Sequence, residues 1–170
     1  TLYPHGSIQA VHPWGLERDL FGAGMYRLAG HGPWLQYYYL FSVLVTAAGT
    51  WVVLRREAGP LAAGLVAVAV SFGNLFVMAR FYGHLGVAIC HWTTLAIVLD
   101  YVMLRRLADG RGWSVRLIVA RLLLVMLGLG QGLGHAAGYA LTELVVLAVV
   151  AAGIAWWRSG RAWPWTPRRI

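Results

Sequence analysis

The feature that most constrains this chain is a succession of apolar runs, each near twenty residues long, separated by short basic turns. An α-helix needs about 20 consecutive apolar residues to cross the hydrocarbon core of a bilayer. Hydrophobic residues make up 59% of the chain and charged residues only 12%, against about 25% charged residues in an ordinary soluble domain. The sequence therefore predicts an all-α integral membrane protein.

The apolar runs predict five transmembrane helices within a single membrane domain that covers residues 1–170. The predicted spans are residues 35–54, 60–79, 84–104, 114–133 and 137–157. The last two spans share one continuous stretch of 44 residues, about twice the length that a single crossing requires. Because glycine weakens a helix and suits a turn, the Gly-rich segment 128–138 is the expected point of reversal.

The first 34 residues precede the first span and predict a segment on the outer face of the membrane. Pro13 suits the start of a helix, and Leu16, Leu20 and Leu28 recur at helical spacing between charged residues. This pattern is typical of an amphipathic helix that lies in the membrane interface. The alternative is a loop that packs against a partner subunit.

The distribution of arginine predicts the orientation of the five-helix bundle. All 14 basic residues are arginine, and ten fall on one side of the predicted spans against three on the other. Cytoplasmic loops carry the excess of basic residues, so we expect the N-terminus outside and the tail, residues 158–170, in the cytoplasm. A multi-pass protein of a bacterial-type inner membrane fits this pattern. Membrane orientation also accounts for the net charge of +8, so we do not expect a nucleic-acid partner.

Several polar residues fall in the outer half of the predicted bundle. His84 and His91 are seven residues apart on nearly one face of the third span. Tyr139 and Glu143 share a face of the fifth span, and His135 lies just before it. Glu143 is about six residues into its span, so its expected depth matches that of His91. These five residues predict a polar pocket for a cofactor in the outer leaflet.

Three chemistries suit such a pocket. Imidazole ligates haem iron axially, and imidazole together with carboxylate binds copper, zinc or iron. A histidine–glutamate pair can also exchange protons with a quinone head group. The candidate cofactors are therefore haem b or a quinone, with copper or zinc bound by His91 and Glu143 as the alternative. A purely structural interpretation stays open, in which His91 donates a hydrogen bond that ties two helices together.

Asp100 and Arg121 predict a structural ion pair at the opposite end of the bundle. Both lie at matching depths from the cytoplasmic side, in the third and fourth spans. An unpaired charge at such a depth would cost several kcal/mol, so we expect the two side chains to pair. Asp100 follows His91 by nine residues, which places it on the opposite face of the helix and away from the histidine pocket.

The sequence does not assign a catalytic activity to the chain alone, and it carries no GxSxG or HExxH motif. Its layout of five spans with an outer N-terminus is similar in topology to cytochrome-b-type anchor subunits of respiratory oxidoreductases. We expect a membrane subunit of a larger respiratory or photosynthetic electron-transfer complex, which acts as a scaffold or contributes a haem or quinone site. Its partners would be other membrane subunits and lipid. The alternative is a small metal-binding or transport protein that uses the histidine–glutamate pocket.

Overall fold

The computed structural model describes residues 15–73, 89–131 and 133–160, together with their side chains except at positions 130–137 and 139. These residues form six α-helices and no strand, so the all-α prediction is confirmed for them. In chain order the helices are α1 Leu16–Ala29, α2 Trp34–Ala58, α3 Pro60–Phe72, α4 His91–Ala108, α5 Val115–Gln131 and α6 Leu133–Arg158.

Two of the described helices are long and apolar enough to cross a membrane. They are α2, with 25 residues, and the part of α6 from Ala140 to Arg158, with 19 residues. The helix α3 is apolar but has 13 residues, while α4 and α5 have 18 and 17 residues. Each of the latter two also carries a buried charge, Asp100 or Arg121. By length and apolarity, two of the described helices could span a membrane, whereas the sequence predicts five spans.

The helices α2 and α3 fold back on each other at Gly59. Its φ of +82° lies in the left-handed region, which glycine adopts without steric cost, and Pro60 then occupies the first position of α3. The indole Nε1 of Trp51 donates a hydrogen bond to the carbonyl of Pro60 at 3.2 Å. This bond ties the last turns of α2 to the start of α3.

The buried core lies where α2, α3 and α4 meet. Its members are Leu54, Ala63, Val98 and Val102, with Val53 packed beside them. Further along the same interface, a Cβ added to Gly49 would lie 2.6 Å from Cδ2 of Leu95. Glycine at this position therefore allows α2 and α4 to approach closely.

The helices α5 and α6 form a hairpin. A straight helix would place residues 121 and 143 about 33 Å apart, yet Nη2 of Arg121 lies 3.2 Å from Oε2 of Glu143. The helices α5 and α6 therefore lie side by side and do not form one straight helix. Helix α6 begins at Leu133, earlier than the predicted span, so Glu143 lies about 15 Å along it. At the other end, the Arg158 side chain donates to the carbonyl of Ala108 and holds α6 against the end of α4.

Candidate functional site

The first polar cluster is built around His91, the first residue of α4, and we call it the outer cluster (Glu17, Ser42, His91 and Trp92). His91 is 1% exposed. Its Nδ1 lies 2.9 Å from Oγ of Ser42 in α2, and its Nε2 lies 3.1 Å from Oε1 of Glu17 in α1. An ionised carboxylate only accepts hydrogen bonds, so Nε2 carries the proton that faces Glu17. Both ring nitrogens of the imidazole are therefore engaged.

The carboxylate of Glu17 is held by donors on each of its oxygens. The indole Nε1 of Trp92 donates to Oε2 at 2.6 Å, while His91 donates to Oε1. Burial alone would raise the pKa of Glu17, but hydrogen bonds from His91, Trp92 and Tyr38, with the charge of His91, outweigh it and lower the pKa. The first turn of α4 adds its positive dipole end. Glu17 is therefore an anion at neutral pH and anchors α1 to the bundle.

Aromatic rings close the outer cluster from the side of α1 and α2. The rings of Tyr38 and Phe41 meet the imidazole of His91 edge-on, with centroids 6.3 and 6.0 Å away. Phe21 of α1 packs against both, at 5.3 Å from Tyr38 and 5.8 Å from Phe41. Such aromatic contacts add to the free energy of docking beyond the area they bury. The outer cluster thus joins three helices around one imidazole.

The second polar cluster lies further along α4, and we call it the central cluster (Asp100, Arg121 and Glu143). Nε and Nη2 of Arg121 donate to the two carboxylate oxygens of Asp100 at 2.6 and 2.9 Å. This is the bidentate geometry in which guanidinium binds carboxylate most strongly. Nη2 also donates to Oε2 of Glu143 at 3.2 Å. The three residues come from α4, α5 and α6, so the cluster joins all three helices.

The central cluster does not balance its own charge when all its groups are ionised. Arg121 is 3% exposed and Asp100 is 9% exposed, and two carboxylates share one guanidinium. An uncompensated charge in a buried site is costly, and such a group is commonly neutralised by a proton. In addition, Nη1 of Arg121 is buried and has no hydrogen-bond partner among the described residues. The arrangement is therefore suited to holding one exchangeable proton.

The structure brings together some of the residues that the sequence singles out. Asp100 and Arg121 pair directly. His84 lies outside the described residues, as do the side chains of His135 and Tyr139. Of the five residues of the predicted pocket, the structure describes the side chains of His91 and Glu143.

Among the described residues, His91 and Glu143 have different hydrogen-bond partners. Glu143 bonds to Arg121, while His91 bonds to Ser42 and Glu17. His91 is the first residue of α4, whereas Glu143 lies near the middle of α6. The described part of the chain also contains no group of three or more His, Cys, Asp or Glu side chains that would hold a metal ion. The ligand pair His91 and Glu143 therefore stays a prediction.

Sequence reasoning missed the part that Glu17 plays. The helical pattern of α1 assigns this residue to the solvated face of an amphipathic helix, where most charged residues lie. A signal was nevertheless present, because a buried imidazole at the outer end of a span needs an acceptor. The expected surface helix lies on that same side and carries two acidic residues, Glu17 and Asp19. Sequence alone does not choose between them.

No protein-family model, curated protein or solved structure matches this chain. Its function is therefore inferred from the two polar clusters and from the apolar surface around them.

Proposed function

We propose that this chain is a multi-pass membrane subunit of a bioenergetic assembly, in which Glu143 binds and releases a proton inside the bilayer. The observation that carries the proposal is the central cluster, where one buried guanidinium is shared by two carboxylates. Ionisable residues inside membrane proteins commonly belong to ion pathways and proton relays. Electron transfer to quinones consumes protons, so a proton-handling subunit suits an electron-transfer complex.

The proposed topology has five spans, with the N-terminus outside and the tail in the cytoplasm of a bacterial-type cell. The apolar surface of the described helices supports a membrane setting, since only 6% of the apolar window of α6 is buried. Large exposed apolar surfaces mark contacts with lipid or with other proteins. The helix α1 would then lie in the outer interface, where Glu17 attaches it to α4.

The geometry of the central cluster favours Glu143 as the residue that carries the proton. Asp100 accepts two hydrogen bonds from Arg121, at 2.6 and 2.9 Å, whereas Glu143 accepts one at 3.2 Å. The carboxylate with more and shorter charge-assisted hydrogen bonds is the better stabilised anion. Asp100 then stays ionised.

A haem or metal bound through His91 has less support than proton transfer at the central cluster. Both ring nitrogens of His91 are engaged, so an iron, copper or zinc ion would have to displace Ser42 or Glu17. A quinone that bonds to His91 would face the same competition. The outer cluster is better suited to anchoring α1, and in this proposal it positions the surface helix rather than a cofactor.

The test uses the chain in its own assembly, purified from native membranes in mild detergent by an affinity tag. Co-purifying proteins identify the assembly, and its turnover-linked proton uptake is measured after reconstitution into vesicles that contain a pH-sensitive dye. We expect Glu143→Gln to lower proton uptake about a hundredfold, as removal of a proton-transfer group does. The control Glu57→Gln removes a carboxylate that binds Arg106 and Arg111 outside the central cluster, and it should keep the wild-type rate. Wild-type uptake in Glu143→Gln would refute the proposal.

A second candidate is proton-coupled transport by the chain without partner subunits. The same observation favours it, because charges that meet at mid-helix are also typical of transport pathways. The two candidates differ in what the purified chain does alone in vesicles. Proton flux that Glu143→Gln abolishes, in the absence of co-purifying proteins, would support transport and exclude the subunit role.

A further inference from the structure

A cleft of about 570 Å³ opens among the basic ends of three helices. We call it the arginine cleft, and it is lined by Arg56 at the end of α2, Arg106 at the end of α4, and Ser114 to Leu117 at the start of α5. Arg116 belongs to that last segment, so three arginines from three helices face one cavity. None of the described residues that line it is acidic.

The charge around the arginine cleft is strongly positive even after its neighbours are counted. Glu57 binds Arg106 through Nε at 3.0 Å and Arg111 at 3.5 Å. No ion pair from a carboxylate to Arg56 or Arg116 is found among the described residues, and both are exposed at the rim. The cleft therefore presents the guanidinium groups of Arg56 and Arg116 to a ligand. The third guanidinium, that of Arg106, is bound by Glu57.

The rest of the lining suits a ligand that is charged at one end and apolar at the other. The first turn of α5 contributes backbone N–H groups and the positive end of its helix dipole, which favour a phosphate. Beside them Val115 is 75% exposed and Leu117 also lines the cavity. Soluble phosphate would gain nothing from these aliphatic side chains, whereas the upper part of an acyl chain would pack against them.

We propose that the arginine cleft binds the phosphate head group of an acidic phospholipid in the cytoplasmic leaflet. Arg56 and Arg116 would bind the phosphate oxygens, and Val115 and Leu117 would contact the glycerol backbone and first methylenes. Basic pockets between membrane helices on the cytoplasmic side bind anionic lipid head groups by this chemistry. The proposal requires the membrane setting and orientation given above, but not proton transfer at Glu143.

The test counts lipids bound to the full chain by native mass spectrometry, after purification in detergent and addition of phosphatidylglycerol or phosphatidylcholine with identical acyl chains. The double variant Arg56→Gln/Arg116→Gln removes the two exposed arginines of the cleft. The control Arg55→Gln/Arg105→Gln removes the same charge from neighbouring residues that do not line it. All four side chains are partly or fully at the surface, so neither variant disturbs the core.

We expect the cleft variant to bind phosphatidylglycerol about thirtyfold more weakly than the wild type, and the control to bind it nearly as well as the wild type. Phosphatidylcholine should bind weakly to all three. Equal losses in the two double variants would refute a specific site and leave only general attraction to a basic surface. Displacement of the lipid by equimolar inorganic phosphate would overturn the assignment to lipid, because it would show that the apolar lining contributes nothing.

Discussion

Removing Arg121 should destabilise the protein more than removing any exposed arginine. In Arg121→Leu, Asp100 loses two charge-assisted hydrogen bonds and Glu143 loses one. Breaking a buried ion pair in this way typically costs about 3–5 kcal/mol, because the remaining charge is left buried and uncompensated. If Glu143 already carries a proton, losing its hydrogen bond to Arg121 adds little, and the total cost in stability stays within that range.

The matched control for this variant is Arg116→Leu, five residues earlier in the same helix and exposed. It should change the free energy of unfolding by no more than about 0.5 kcal/mol. Both values are obtained from sodium dodecyl sulfate titrations of the protein in mixed micelles, followed by tryptophan fluorescence. The nine tryptophans of the chain provide the signal.

Two further measurements on the same variants test the reasoning. The cost of Arg121→Leu should fall as the pH is lowered, since Asp100 then takes up a proton and the buried charge disappears. Adding Asp100→Leu to Arg121→Leu should recover part of the stability, because contacting residues are not additive. A cost equal to that of Arg116→Leu, independent of pH, would refute a buried ion pair at this position.

Two other predictions concern the outer cluster and the α2–α4 interface. The lowered pKa of Glu17 means that the attachment of α1 is fully present above the usual carboxyl value of about 4.3. This attachment should weaken as the pH falls through the lowered pKa that Glu17 has in the folded protein. Hydrogen exchange would detect the change as faster exchange of the α1 amides. Gly49→Ala places a Cβ 2.6 Å from Leu95 and should cost about 1–3 kcal/mol. The control is Gly64→Ala, whose Cβ would lie 4.0 Å from the Trp51 side chain, and it should not lower the free energy of unfolding. If both variants lowered the free energy of unfolding equally, the close approach of α2 and α4 would be contradicted.

Local patterns predicted the bounds of α2 and α5 closely, but not those of α3 and α4. The sequence predicts spans at residues 60–79 and 84–104, whereas α3 ends at Phe72 and α4 begins at His91, after the non-helical residues 89 and 90. Apolar runs of the right length, Pro60 at a helix start and a Gly-rich reversal each act through neighbouring residues. The pairing of Asp100 with Arg121 could also be predicted, since only two unpaired charges lie at matching depths and both are costly to bury alone.

The residues that form the candidate sites could be predicted only in part. The depth of Glu143 depends on where α6 begins, and the sequence assigned the first residues of that helix to a turn because they contain glycine. The helix begins at Leu133 instead, and Glu143 binds Arg121. The contact between Glu17 and His91 depends on how α1 docks onto two other helices, and no local pattern in the sequence records that docking.

The most direct test of the proton assigned to Glu143 is infrared spectroscopy of the protonated carboxyl C=O stretch in membranes at neutral pH. The chain has six acidic residues, and the other candidates lie near the surface or are paired, so one band is expected in the wild type. It should be lost in Glu143→Gln, and also in Asp100→Asn, where Arg121 and an ionised Glu143 balance each other. In Glu57→Gln the band should persist. A wild-type spectrum without this band, or a band that survives in Glu143→Gln, would contradict the account.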